Sequence, residues 1–455
     1  MTMIGRRKIF TTEKQITPGN VVDVLQKSLN IHAQNRRDIE YLYDYYRGDQ
    51  PILKRTKEVH SEILNKIVVN HANEIVAFKT GYMIGEPVQY VCRTGEASDD
   101  LEAFNAIIDN AGKNASDRSI VEWFHICGTA YRIVLPGEPL DVYTLDPRRT
   151  FVVYADDLQN TPLMGVWCWS DNQTFDVYTS DMHYTIENNR IKDSAPHMLG
   201  DVPIIEYPGN MARLGSFEIV LEQLDALNTI ESNRVDGIEQ FIQSIMVFYG
   251  VNITPQGIID LREQGGIAIP NGTDVKYLVQ ELNQTQTQTL VNNIYDSILT
   301  ICGMPNRNGG SSTSDTGAAV ILRDGWSDAE ARAKDAEGMF IESEKRFLKI
   351  AVRICNELEN MNLTIDDIQT RFTRRNYENI QGKAQVLVSM LNNPKIHPRL
   401  AFIHCNMFPD PEAAYQMSAE YEEEQARKME AELNEDVRAN GQDDSEIEQE
   451  VREDV

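Results

Sequence analysis

Basic side chains are scarce in this sequence: 43 lysines and arginines stand against 70 aspartates and glutamates, for a formal net charge of −27. A surface that holds nucleic acid or anionic lipid by charge needs the opposite balance, so a tight electrostatic grip on either is excluded. Enclosing a polyanion without gripping it is not. Cysteine is sparse too. Cys92, Cys127, Cys168, Cys302, Cys355 and Cys405 lie far apart, with no Cys-x-x-Cys pair and no zinc spacing, which predicts reduced, mostly buried thiols and no disulfides. Arg6, Arg7 and Lys8 are followed by no apolar run of signal-peptide length, and no later stretch approaches a membrane span. The expectation is a soluble chain made in a cytoplasm, with no membrane partner.

Catalytic signatures are missing as well. The glycine-rich stretch from Gly309 to Gly317 contains no lysine and no Walker pattern, which disfavours a motor ATPase, and Gly-x-Ser-x-Gly, His-Glu-x-x-His and EF-hand spacings are absent. The nearest approach to a metal pair is His125 with Cys127. Two residues apart on a strand they would share a face, but two ligands do not make a zinc site, and a buried structural pair is the preferred reading. Asp156-Asp157 and Asp366-Asp367 fall in expected turns, where solvated acids are ordinary. No residue set supports catalysis, and no metal or cofactor is implied.

What is present is a long chain, 455 residues with 41% hydrophobic side chains, enough for two to four subdomains. Residues 18–47 read as two helices, the first on Val21, Val22, Leu25 and Leu29, the second on Ile39, Leu42 and Tyr43. Tyr41, Tyr43, Tyr45 and Tyr46 are expected as core and interface filler. A helix over 65–85 gives way at Gly85 and Pro87 to a strand over 88–92. Helices over 100–110 and 120–126 follow. Short β-type runs at 131–135, 141–145, 151–154, 164–169, 174–178, 183–187 and 202–207 then alternate with turn residues in the manner of one antiparallel sheet. The fold class is α+β, mostly helical.

The stretch the chain is organised around follows. Phe217, Leu221, Leu224, Leu227, Ile238, Phe241, Ile245 and Phe248 recur at helical spacing from Ser216 to Gly250. Glu231, Asn233 and Arg234 break that stripe, so the central turns must face water, a polar partner or another copy of the helix. Residues 251–282 change period. Pro255, Gly265-Gly266 and Pro270-Asn271-Gly272 punctuate β-type runs at 267–269 and 275–279, the pattern of a small mixed α/β insert. Leu290, Ile294, Ile298 and Ile301 carry a second helix, closed by Gly303 and Pro305. The two helices form a hairpin with a capped tip. Residues 306–317 are too polar to bury and too glycine-rich to fold alone, so they read as a mobile loop. A long helix over 318–358 is expected to bend near Gly325, with Trp326 packed at the bend between subunits. Arg323, Arg332 and Lys334 could face a channel or pair along the helix with Asp328, Glu330 or Asp335, and the pairs are the preferred reading. A strand over 368–373 and helices over 379–391, 398–404 and 411–437 complete the pattern. Residues 412–455 hold 16 acids and 4 bases, and disorder is expected from about Ala439.

The order of these parts resembles the portal proteins of tailed bacteriophages, of the type found in phages of Gram-positive bacteria. The resemblance rests on Tyr45-Tyr46-Arg47-Gly48-Asp49-Gln50-Pro51, Asn65-Lys66-Ile67-Val68-Val69-Asn70, Gly81-Tyr82-Met83-Ile84-Gly85-Glu86-Pro87, Cys127-Gly128-Thr129-Ala130-Tyr131, Leu145-Asp146-Pro147-Arg148 and Gly200-Asp201-Val202-Pro203-Ile204-Ile205-Glu206-Tyr207. The polar Asn306-Arg307 and Ser/Thr run departs from it. The resemblance implies a homo-oligomeric ring, usually of twelve, at one vertex of the virion's capsid, with double-stranded DNA moving through its channel during packaging and ejection. Residues 1–227 would be the wing, 228–250 and 284–303 the stem helices (Ile238, Phe241, Ile245, Leu290, Ile294, Ile298), and 251–283 the clip. The clip would dock the terminase large subunit and a head-completion connector through Pro255, Arg262, Gly265, Gly266, Pro270, Asn271 and Lys276. Residues 304–317 would be the tunnel loop, with Asn306, Arg307, Asn308, Gly309, Gly310, Ser311, Ser312, Thr313 and Ser314 nearest DNA. Residues 318–375 would be the kinked helix, bent at Gly325 and Trp326, and a strand returning to the wing. Residues 376–438 would be a helical crown, and 439–455 a disordered acidic tail. Major capsid and scaffolding proteins are the remaining implied partners. Two competing readings are an oligomeric helical scaffold or adaptor that conducts no DNA, and a minor capsid enzyme.

Overall fold

Helix α1 (Val21–Arg47) runs unbroken for 27 residues where the apolar spacing suggested two helices. Its buried stripe is continuous because Ser28, His32 and Asn35 fill the polar gap between Leu25 and Ile39. Asn35 is bound on both sides by the N-terminal segment, its Oδ1 accepting from Arg7 N–H at 2.9 Å and its Nδ2 donating to Arg7 O at 2.8 Å. The His32 ring stacks on Phe151 at 4.6 Å with Nε2 3.2 Å from Arg148 O. Gly48, at φ 102°, ends the helix in the left-handed conformation that satisfies its last carbonyls. The computed structural model describes residues 5–58, 61–93, 99–242, 245–249, 274–278, 284–306, 325–373, 380–405, 407–408 and 411–430.

Helix α2 (His71–Met83) starts six residues later than its apolar pattern, at an Asn70 cap whose Oδ1 accepts from Asn73 N–H at 3.3 Å. Strand β2 (Gln89–Cys92), α3 (Asp99–Asn110) and α4 (Lys113–Cys127) follow. His125 and Cys127 therefore sit on a helix, not on a strand. Gly128 ends α4 at φ 83°, and a Cβ there would come within 2.0 Å of Arg213 O, so only glycine permits this crossing.

The expected single antiparallel sheet is two. Strands β3 (Thr129–Pro136), β4 (Leu140–Leu145) and β10 (Ile204–Pro208) form one, in the order β10-β3-β4. The other is a meander of β5 (Thr150–Ala155), β6 (Pro162–Cys168), β7 (Thr174–Tyr178), β8 (Met182–Glu187) and β9 (Arg190–Pro196), with β1 (Ile9–Thr11) pairing parallel to β5. The chain changes sheet at Asp146, whose carboxylate takes the Arg148 guanidinium at 2.6 Å. Helix α5 (Leu221–Ile242), strand β11 (Ile245–Tyr249), strand β12 (Asp274–Leu278) and helix α6 (Gln284–Cys302) come next. Helix α7 (Trp326–Glu359) then lies across the three-stranded sheet, and β13 (Ile368–Arg371) returns to pair antiparallel with β2. Helices α8 (Ile380–Leu391), α9 (Pro398–Cys405) and α10 (411–430) end the described chain.

Under α7 the core contains charge. Lys113, Asp117, Arg132 and Glu344 are fully buried, two cations against two carboxylates. Lys113 Nζ lies 2.7 Å from Asp117 and 2.9 Å from Glu344, and Arg132 pairs with Asp117 and, at 3.3 Å, with Glu344. The Tyr90 and Tyr207 hydroxyls donate to Glu344, the latter at 2.7 Å. Burial by itself would raise the Glu344 carboxyl; the Lys113 and Arg132 charges outweigh it and hold it below the usual glutamate range. The arrangement ties α7 to α4 and β3.

Candidate functional site

The hairpin of α5 and α6 is buried at its base and open toward its tip. Leu224, Leu227, Ile298, Leu299 and Cys302 join Phe217, Ile75, Val76 and Tyr45 in one apolar cluster. The tyrosines expected as filler do fill it: Tyr45 is buried with its hydroxyl on Asp225 at 2.9 Å, and Tyr43 stacks on Trp123 at 5.0 Å. The N-terminal segment pins the same base, since buried Arg6 pairs with Glu218 and donates to Cys127 O at 3.1 Å. Farther along, Ile294 is partly buried, whereas Ile238 is 46% and Leu290 49% exposed. Both helices of the hairpin thus carry a large apolar side chain half in water.

The polar middle of α5 finds its partner inside the chain. Asn228, Ser232 and Asp236, one helical turn apart, are buried against the extended segment 65–69. Val69 N–H donates to Asn228 Oδ1 at 2.8 Å, Ile67 N–H to Ser232 Oγ at 2.9 Å and Asn65 N–H to Asp236 Oδ1 at 2.8 Å. The match is metric: four helical residues advance about 6 Å and two extended residues about 6.6 Å, so every second amide meets every fourth side chain. Lys57 at 2.9 Å and Arg55 at 3.1 Å neutralise Asp236. Of the residues that break the apolar stripe, Asn233 accepts from Arg55, and Glu231 holds Arg234 at 2.9 Å. This seam explains why α2 starts late, and the sequence reading missed it. Its one signal was the i, i+4 spacing of Asn228, Ser232 and Asp236.

Other expected site residues fall as follows. Phe241 is in the last turn of α5, but Ile245, expected on that helix, opens β11 and pairs with Leu278. The helix stops at Ile242 instead of Gly250 because Ile245-Met246-Val247-Phe248-Tyr249 is a β-branched and aromatic run that gains a ladder with 274–278. Lys276 sits in that ladder opposite Val247. Pro255, Arg262, Gly265, Gly266, Pro270 and Asn271 lie outside the described residues, as do Arg307, Asn308, Gly309, Gly310, Ser311, Ser312, Thr313, Ser314 and Arg323 and the tail from 431. Asn306 is described, its Nδ2 donating to Asp296 Oδ1 at 3.0 Å. Gly325 is not a bend within a helix. At φ 80° it is the left-handed residue before the first turn of α7. Trp326 packs within its own chain, its ring 6.1 Å from Phe78 and 6.0 Å from Tyr82. Lys334 pairs with Glu330 at 3.4 Å, as the spacing suggested. Among the described residues no three metal-binding side chains converge, and no helix is long and apolar enough to cross a membrane.

Two sheets clasped by a long helix are joined to a helical hairpin that carries a small two-stranded sheet at its tip. The family model of the phage portal protein, SPP1 Gp6-like, matches residues 25–438. The chain belongs to that family: it is a phage portal protein, a component of a capsid vertex. Among solved structures it is similar to a chain in the neck of an empty GTA particle computed with C6 symmetry, at 9% identity and TM-score 0.44, covering 74% of this chain and 90% of that one. It is also similar to a chain in the virion of a native gene transfer agent (GTA) particle, at 10% identity and TM-score 0.44, covering 74% and 89%. A third is in the neck of the native GTA particle computed with C12 symmetry, at 10% identity and TM-score 0.43, covering 75% and 91%. No curated protein matches the chain.

Proposed function

We propose that copies of this chain close a head-to-tail ring, of twelve subunits in the virion, and that double-stranded DNA passes through its bore during packaging and ejection. Family membership supports the reading. The observation that carries it is the half-exposure of Ile238 and Leu290 on a hairpin whose base is dry. Heterologous contact around a closed rotation covers such residues on every copy. The net charge of −27 suits a conduit: like charge acts on the phosphate backbone over a Debye length of about 8 Å, so DNA stays mobile.

On this reading residues 251–283 dock the terminase large subunit and later a head-completion connector, and the wing and the helices beyond 376 face major capsid and scaffolding proteins. The chain is made in the cytoplasm of its host. Residues 306–316 place Arg307, Asn308 and Ser311 to Ser314 at the narrowest point, where weak neutral-to-basic contacts steady DNA without holding it. Electron microscopy of the purified protein is the test, with rings around a central hole as the expected image. A compact monomer at every concentration overturns the reading. Deleting 309–314 is expected to spare the rings and to impair packaging or DNA retention; full packaging by that variant removes the loop from the account.

A further inference from the structure

A groove of about 420 Å³ opens between the N-terminal segment, the end of β10 and the middle of α7. Its carboxylates are already taken: Arg213 holds Glu206 at 2.8 Å and Lys345 holds Glu342 at 2.6 Å. Lys8 and Arg346 remain, both half-buried in the wall, and among the described residues neither has a carboxylate within ion-pair distance. Lys8 Nζ lies instead over the Tyr154 ring at 4.1 Å and the Phe10 ring at 5.5 Å. Burial holds the Lys8 ammonium below the usual lysine range; the Arg213 and Arg346 charges add to that, and Glu206 opposes it. In a chain of net charge −27, two cations left together without a counter-ion set this groove apart.

The same groove is apolar where it meets water. Phe10 is 43% and Met211 84% exposed, and Met339 is half-buried on the face of α7 that also carries Arg346. Its volume falls in the range of ligand clefts, about 300–1,000 Å³. An occupant must therefore offer carboxylates and apolar side chains together. A nucleic acid backbone offers negative charge at every unit and no aliphatic group, and it would meet Glu206 and Glu342 in the wall.

This chain carries such an occupant farther along its sequence. Residues 443–455 hold seven acids against one base. Ile447, Val451 and Val455 recur every fourth residue, and on a helical period Glu446, Glu450 and Asp454 form the stripe beside them. The described chain ends at Glu430, so residues 431–442 give this segment a tether of up to about 40 Å. We propose that segment 443–455, of the same subunit or of a neighbouring copy, docks in the groove, its carboxylates on Lys8 and Arg346 and its aliphatic side chains on Phe10, Met211 and Met339. Docking offsets the mutual repulsion of Lys8, Arg213 and Arg346 and clasps the N-terminal segment to α7.

The test is zero-length carbodiimide crosslinking of the full-length protein, read by mass spectrometry, because the reaction joins an amine only to a carboxylate in contact with it. Lys8 is expected to be joined to a carboxylate between Glu446 and Asp454, in higher yield than the exposed Lys14 and Lys54. Ile447→Ser with Val451→Ser keeps every carboxylate and lies outside the described residues, and Arg346→Gln removes one cation; each is expected to lower the Lys8 product by about fivefold. Lys14 and Lys54 joined to the segment as often as Lys8, or a Lys8 product that the serine variant leaves unchanged, would reduce the contact to unspecific charge and overturn the proposal. No Lys8 product at all overturns it too, and protection of Lys8 from acetylation by added duplex DNA would then assign the groove to nucleic acid.

Discussion

The joint of α7 with α4 and β3 and the joint between α5 and segment 65–69 both bury polar groups, by opposite chemistry. Under α7, Arg132 and Lys113 are matched to Asp117 and Glu344, each charge depending on charges from other elements. Along α5, Asn228 and Ser232 are neutral, and their partners are backbone amides that the extended chain must place somewhere. The first joint fixes a geometry by mutual necessity, because any one member removed leaves its opposite charge in the core. The second is a row of nearly independent bonds. Loss should therefore be abrupt in one region and graded in the other.

Glu344→Gln and Arg132→Met test the abrupt case and carry the largest expected effect. Each strands an uncompensated buried charge, and each is expected to cost about 3–5 kcal/mol, read as a lowered denaturant midpoint with unchanged slope. The double variant leaves Lys113 with Asp117 as a neutral pair, so it should cost clearly less than the two singles summed. Strict additivity would show that the four groups are not one network.

Acid sharpens the same contrast at slightly smaller magnitude. Burial would raise the Glu206 carboxyl, but Arg213 at 2.8 Å, with Tyr154 and Thr129, lowers it to about 2. A depressed carboxyl gives stability that is present above its unfolded value of 4.5 and lost as pH falls toward 2, here about 3 kcal/mol. His32, lowered to about 4 chiefly by burial, acts in a higher window: its contribution is present above 6.5 and lost between 6.5 and 4. Hydrogen exchange is expected to show β10 amides losing protection between pH 4.5 and 2 before those of Ile67 and Val69, whose acceptors do not titrate. Simultaneous loss would merge the two joints into one cooperative unit.

For the graded case, Ser232→Ala leaves Ile67 N–H without its acceptor and is expected to cost about 1–2 kcal/mol, with Asn228→Ala similar and the pair additive. Either variant alone costing as much as Glu344→Gln would erase the distinction between neutral seam and charged network.

The same contrast decides what could be read from sequence. The strands β6, β7 and β8 were legible because apolar alternation between Asp and Asn turns has one physical explanation. The two-helix hairpin was legible for the same reason, from Leu221, Leu224, Leu227 and Leu290, Ile294, Ile298. Its far end was not, since Ile245 to Tyr249 satisfies both a helical and an extended period until a partner strand is known. Strand β9 is polar nearly throughout, an exposed edge guarded by Arg190, Lys192 and Asp193, and leaves no apolar pattern to find. Lys113 and Asp117 carried the i, i+4 mark of a surface pair; nothing local says that Arg132 and Glu344 enclose them. Backbone amides, the partners of Asn228 and Ser232, have no sequence signature at all.

The smallest effect on stability should accompany the largest on assembly. Both joints are satisfied within one subunit, whereas Ile238 and Leu290 keep about half their surface in water. Ile238→Asp with Leu290→Asp places charge on surface that the isolated chain already hydrates, so its unfolding free energy should stay within about 0.5 kcal/mol of the parent's. In a ring the same carboxylates would be driven into an interface and desolvated, at several kcal/mol per ion. Native mass spectrometry is therefore expected to find the double variant monomeric and folded under conditions where the parent forms rings. Rings that survive the double substitution would move the subunit contact off the hairpin and leave these two side chains as ordinary exposed hydrophobes.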